Sequence, residues 1–214
     1  MESTPPQYSI EDLCTKLIET NAPPHILEQL RAAAAFHTYP APGLLIALFM
    51  VDYALEVLGA VPGEKLYAMC ETQKCAPDAL QVVLHCTVGN NRLTIIPVGR
   101  FAITVNRPSK DLKAEAIRVF VDDAKLQQYP VIYAWFMHDP AYKKHTMGNL
   151  LIDEIFAAQR AILSHEWVLV SVVPKKPWHA VVCSGCGEAL PHTNLEGEQC
   201  MVCEGRSYYE QMPQ

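Results

Sequence analysis

Apolar residues gather along the chain with two different periods, and the densest gathering comes early. Residues 44–58 are apolar nearly all round a helical wheel, with an unbroken run from 44 to 51 that stops at Asp52. That pattern predicts a helix running through the centre of a domain. Pro42 suits its first turn and Gly59 its C-terminal stop. Upstream, Ser9 with Asp12 resembles a capping box, opening a helix through Leu13, Leu17 and Ile18. Pro24 fits the start of a second helix carrying Ile26, Leu27 and Leu30. Residues 65–70 read as a strand, and CAPDALQVVLHC as a short helix opening at Pro77. The period then shortens to two. RLTIIPV and FAITVN read as a hairpin turning at Gly99, with Pro97 marking an edge or a bulge. Ser109 is placed to cap a helix over DLKAEAIRVFVDDAKLQ, and VIYAWFM follows as a strand. A helix is expected near 148–163, and EWVLVSVV closes the core as a strand. Helices mixed irregularly with an antiparallel sheet predict an α+β core rather than a doubly wound one.

The stretch PKKP at 174–177 is a short stiff linker, dividing an α+β core domain (1–173) from a small terminal domain (178–214) of different composition. Half of the 214 residues are hydrophobic, so the core can be sizeable. A formal charge of −6 argues against a nucleic-acid or anionic-membrane partner, which would need a basic footprint. No apolar run reaches transmembrane length, and the N-terminus lacks the basic-then-apolar order of a secretory signal. The expected compartment is therefore the cytoplasm, where eight cysteines are ligands, reactive thiols or core fillers rather than disulfides.

Four of those cysteines change the picture. Cys183, Cys186, Cys200 and Cys203 form two Cys-x-x-Cys pairs separated by 13 residues, the spacing of a treble-clef or zinc-ribbon domain. A two-residue gap lets both thiolates of a knuckle face one ion, and a hairpin brings the second pair to the remaining tetrahedral corners. One structural Zn2+ per chain is expected, closed to substrate, and needed because about 35 residues bury too little to fold alone. From 178 onward the one Lys or Arg is Arg206, against Glu188, Glu196, Glu198, Glu204 and Glu210. The domain should repel phosphates and meet protein instead, through Trp178, Met201, Tyr208 and Tyr209, unless those residues pack against the core.

A second group lies upstream. His37 stands before the Pro-x-Pro-Gly turn that opens the apolar helix, Cys75 just before a helix N-terminus that would lower its pKa, and Asp78 in that helix's first turn. Cys86 ends the same helix. Each also reads as a buried thiol or a satisfied histidine. The loop HDPAYKKHTMG gathers two histidines and two lysines, as an anion-binding or lid segment or as ordinary solvated loop. No nucleophile elbow, dinucleotide loop or phosphate loop is present.

The order FHTYPAPGLLIAL, CAPDALQVVLHCTVGNNRL, VGRFAITV and a four-cysteine tail resembles the E-subunit family of formylmethanofuran dehydrogenase. His37, Pro42, Gly43 and Leu44 match its first motif; Cys75, Asp78, Ala79, Gln81, Cys86, Thr87 and Gly89 its second; Gly99 and Ala102 its third, with Arg100 in place of Lys. The resemblance implies a homodimeric core with a His/Cys pocket, here His37, Tyr39, Cys75 and Cys86, that can hold a second metal. Tyr39 and Ala41 replace the motif's other histidine and its cysteine, so that site should bind metal weakly or not at all. The implied function is an accessory protein of one-carbon, molybdenum/tungsten enzyme chemistry linked to methanogenesis, docking on a larger oxidoreductase. The alternatives are a small enzyme with Cys75 as nucleophile and His37 or Asp78 as base, and a zinc-finger regulatory adaptor.

Overall fold

The backbone N–H of Asp12 donates to the Ser9 hydroxyl, and the Asp12 carboxylate accepts the N–H of Ser9, so helix α1 (Ile10–Glu19) opens with the full reciprocal cap. Helix α2 (Pro24–His37) starts at its proline, and α3 (Pro42–Leu58) runs from Pro42 to a left-handed Gly59. In this computed structural model, residues 8–172 and 177–212 are described. They divide into a core unit, 1–172, and a tail unit, 173–214. Of the PKKP linker, 174–176 lie outside the described residues.

Every side chain from 44 to 51 is buried, because α3 is enclosed by α2, two later helices and one face of a five-stranded sheet. Strand β1 (Tyr67–Cys70) leads through α4 (Ala76–Leu84) to β2 (Leu93–Ile95), and the two strands pair in parallel. A parallel pair needs a crossover, and α4 supplies it. Strand β3 (Ala102–Asn106) pairs antiparallel with β1 and with β4 (Lys113–Val121), and β4 pairs antiparallel with β5 (Leu163–Ser171). The order across the sheet is β2-β1-β3-β4-β5.

Three sequence expectations fail here. The segments RLTIIPV and FAITVN form no hairpin. Gly99, at φ +86°, carries the chain across the end of β1, whose flanking Glu71 accepts the Gly99 N–H, so β1 separates β2 from β3. Pro97 does follow an edge strand, since β2 is outermost. The helix expected after Ser109 is instead β4. Its Ala and Glu favour helix, but both its edges find partners in β3 and β5, and pairing overrides propensity. Ser109 closes a turn, accepting from Asp111 N–H, and only a short helix α5 (Asp123–Leu126) follows, capped by Asp122. The expected strand VIYAWFM is helix α6 (Pro130–Phe136). Pro130 occupies its first turn, and Glu154 of α7 (Lys144–Ala158) accepts the N–H of Ile132 at 2.6 Å.

The tail unit has two small hairpins, β6 (Ala180–Val182) with β7 (Ala189–Pro191), and β8 (Leu195–Glu196) with β9 (Gln199–Cys200). Its first knuckle follows β6 and its second follows β9.

Candidate metal centre and core pocket

The Sγ atoms of Cys183, Cys186, Cys200 and Cys203 all lie within 4.8 Å of one another. Backbone geometry makes this possible. Cys183 N–H donates to Glu188 O at 3.0 Å and Gly187 N–H to Cys183 O at 2.9 Å, closing the first knuckle. A Cβ at Gly185 would stand 2.8 Å from Cys203 Sγ, so only glycine lets the second pair approach this closely. The Cys200 N–H donates to Cys183 Sγ at 3.2 Å. Donation from the backbone of Cys186 and Cys200 pulls the Cys183 thiol down to about 6, whereas Cys203, beside the Cys200 sulfur, is pushed up to about 12. Four convergent sulfurs with backbone donors make a donor set that could hold one metal ion. His192 stands apart, its ring stacked on His179 with centroids 4.1 Å apart and its Nδ1 accepting the His179 N–H.

The upstream group divides. His37 is the last residue of α2, at a helix C-terminus rather than at the mouth of α3 as its place in the sequence suggested. Its Nδ1 lies 2.6 Å from Asp78 Oδ2, and Gln81 Nε2 donates to the other carboxylate oxygen at 3.3 Å. The Tyr39 ring lies 5.2 Å from that of His37, centroid to centroid, and is 59% exposed. Cys75 is the N-cap of α4 with φ +54°, and its side chain makes no capping bond. It points instead at α3, where a Cβ on Gly43 would meet its Sγ at 3.0 Å. Burial, with Asp78 adding to it, raises the Cys75 pKa against the smaller pull of Lys74 and the Leu44 N–H. The expected lowering by the helix terminus is outweighed by desolvation.

Cys86 does not join them. It sits beyond the far end of α4, fully buried, its thiol donating to Leu66 O at 3.3 Å and pushed up to about 11 by burial. Nine residues of helix separate it from Cys75. Among the described residues the four tail cysteines are the one group of three or more potential ligands so closely drawn together; His37, Asp78 and Cys75 do not make a second. A feature the sequence did not reveal lies beside Cys75: a cavity of about 470 Å³ between the α3 N-terminus and the start of α7, walled by Tyr39, Trp135 and Tyr142. Its walls come from separate stretches of chain, so no local pattern announces it.

A helix-backed mixed sheet followed by a ribbon whose four thiols converge defines an α+β protein with a cysteine cluster able to hold a metal ion. The family model described as "FmdE, Molybdenum formylmethanofuran dehydrogenase operon" matches residues 36–170, and the chain belongs to that family. The crystal structure of an FmdE-like protein from Syntrophus aciditrophicus, described as like the E subunit of a tungsten formylmethanofuran dehydrogenase, is 34% identical. The match covers 95% of this chain and 96% of that one, with a TM-score of 0.70. A curated relative from Archaeoglobus fulgidus, described as a "Probable S-adenosyl-L-methionine-binding protein", is 26% identical over 209 residues. That match takes in 89% of this chain and 56% of the relative, so the chain spans little more than half of the relative's length. No helix among the described residues is long and apolar enough to cross a membrane.

Proposed function

We propose that this FmdE-family protein is a cytoplasmic accessory component of molybdenum or tungsten enzyme chemistry in one-carbon metabolism. In this reading it pairs with a second copy and docks on a larger oxidoreductase. One zinc on Cys183, Cys186, Cys200 and Cys203 folds the tail for protein contact, since four thiolates in a closed set suit zinc and leave no position for substrate. The observation that carries the accessory role is the state of the core pocket. Cys75 is held as a neutral thiol by burial, and His37 and Asp78 are turned to each other. A thiol in that state is no activated nucleophile, and the pocket reads as one that binds. Affinity purification of the tagged full chain from its native cell tests the role. Recovery of a molybdenum or tungsten oxidoreductase with it is expected, and recovery of the chain alone, as monomer or dimer, contradicts it.

A second reading takes S-adenosyl-L-methionine, the molecule in the Archaeoglobus relative's name, into the core cavity. The aromatic walls favour it, since they suit an adenine ring. Calorimetric titration separates the readings: saturable 1:1 binding supports this one, and no heat at millimolar ligand removes it.

A further inference from the structure

The HDPAYKKHTMG stretch leads into α7 in an arrangement that costs electrostatic energy by itself. Lys143 is the N-cap, Lys144 and His145 open the first turn, and no acidic residue stands there. Helix N-termini favour negative charge, so basic side chains there are set against the peptide dipoles. Lys144 lines the cavity, and among the described residues it forms no ion pair. Nor does any carboxylate among the described residues line the cavity. On the α7 side, Asp153 is occupied by the Tyr8 hydroxyl and by Lys16 at 2.5 Å. The opposite end differs. There the walls are Gly43 and the thiol of Cys75, with no charged side chain. The one cationic side chain lining the cavity among the described residues therefore stands at its α7 end, where it would meet an anion. Between the two ends stand Tyr39, Trp135 and Tyr142, and the volume of about 470 Å³ is that of a small-molecule site.

We propose that this cavity binds a planar aromatic or heteroaromatic molecule carrying one carboxylate or phosphate. The ring lies among Tyr39, Trp135 and Tyr142, and the anionic group meets Lys144 at the start of α7. The cavity carries the assignment, and the helix terminus only orients the ligand. It rests on the reading of the core as a binding module given above, and it names what that module binds.

Titration calorimetry on the full-length, zinc-loaded chain tests it with two matched pairs of probes, adenosine 5′-monophosphate against adenosine and indole-3-carboxylate against indole. In each pair the anionic member should bind saturably and about tenfold more tightly than its neutral partner. The two anions should compete, and the tighter of them tells phosphate from carboxylate. Lys144→Met, at an exposed position, should erase the anionic advantage within each pair. Trp135→Ala should weaken all four. Absence of binding by every probe, equal affinity within each pair, or an unchanged anionic advantage in Lys144→Met overturns the proposal. Native co-purification is read separately. A recovered partner with no probe binding rejects the ligand class alone, whereas probe binding with no partner rejects the accessory role alone.

Discussion

Asp52 interrupts the most apolar run of the chain, and although it lies in α3 it is only 4% exposed. His25 Nε2 meets one of its oxygens at 2.5 Å, and Arg160 Nε donates to the other at 2.8 Å. The interruption was visible in the sequence. Its partners, 27 and 108 residues away, were not, because nothing local encodes them. Arg160→Met should cost up to about 3–5 kcal/mol in chemical denaturation, since it leaves the buried Asp52 carboxylate with His25 alone, whereas Asp52→Leu with Arg160→Met should cost less. Glu71 makes the same point with pH. The Arg118 guanidinium, seconded by Arg100, holds its carboxyl below the ordinary 4.5. A carboxyl lowered by folding stabilises the native state fully above about pH 4.5, and that contribution fades as pH falls through the folded value. Glu71→Gln should therefore lower stability at pH 7 and flatten its loss on acidification, as followed by thermal melts across the acid range. An undiminished acid slope would show that other carboxylates carry it.

At the scale of elements, legibility followed the ends. Helices α1, α2 and α3 were readable because Ser9 with Asp12, Pro24, Pro42 and Gly59 fix where the chain enters or leaves a helix. Strand β4 and helix α6 were misread because their types are settled by neighbours. The first is claimed by β3 and β5, and the second packs against α7, whose Glu154 satisfies its first turn. Short apolar runs such as VIYAWF carry no period long enough to decide. The junction of α3 with α4 gives a prediction at this scale. Gly43→Ala would place its Cβ 3.0 Å from Cys75 Sγ and 3.2 Å from Cys75 Cβ, forcing the helices apart at a cost of about 1–3 kcal/mol by urea denaturation. Cys75→Gly added to it should recover most of that loss, because it removes the contact and suits φ +54°. No recovery would place the strain elsewhere.

For the molecule as a whole, the motif order was the most legible feature. The family likeness read from FHTYPAPG, CAPDALQ and the four cysteines is the family that the chain belongs to. The arrangement inside the core was less so. Motif order placed His37, Cys75 and Cys86 in one pocket, yet α4 holds Cys86 at its far end, because a helix separates what the sequence sets close together. The tail suffers no such ambiguity, since each Cys-x-x-Cys knuckle is local and two of them leave one way to converge. Among the described residues the strands of the tail are hairpins of two and three residues each. Its folding should thus be metal folding, while the core unit keeps its own buried centre in α3. Chelation should expose the tail to protease and leave the core unit resistant; loss of both together would contradict that division.

The central claim is that four thiolates close on a single zinc and that this ion folds the tail. Elemental analysis of freshly reduced full-length protein, paired with amide NMR of the same sample before and after chelation, tests it most directly. The account predicts one zinc per chain, absent in Cys186→Ser with Cys203→Ser, and dispersed tail resonances that collapse when the ion is removed. Less than one equivalent of zinc, or tail resonances that stay dispersed without it, would contradict the account.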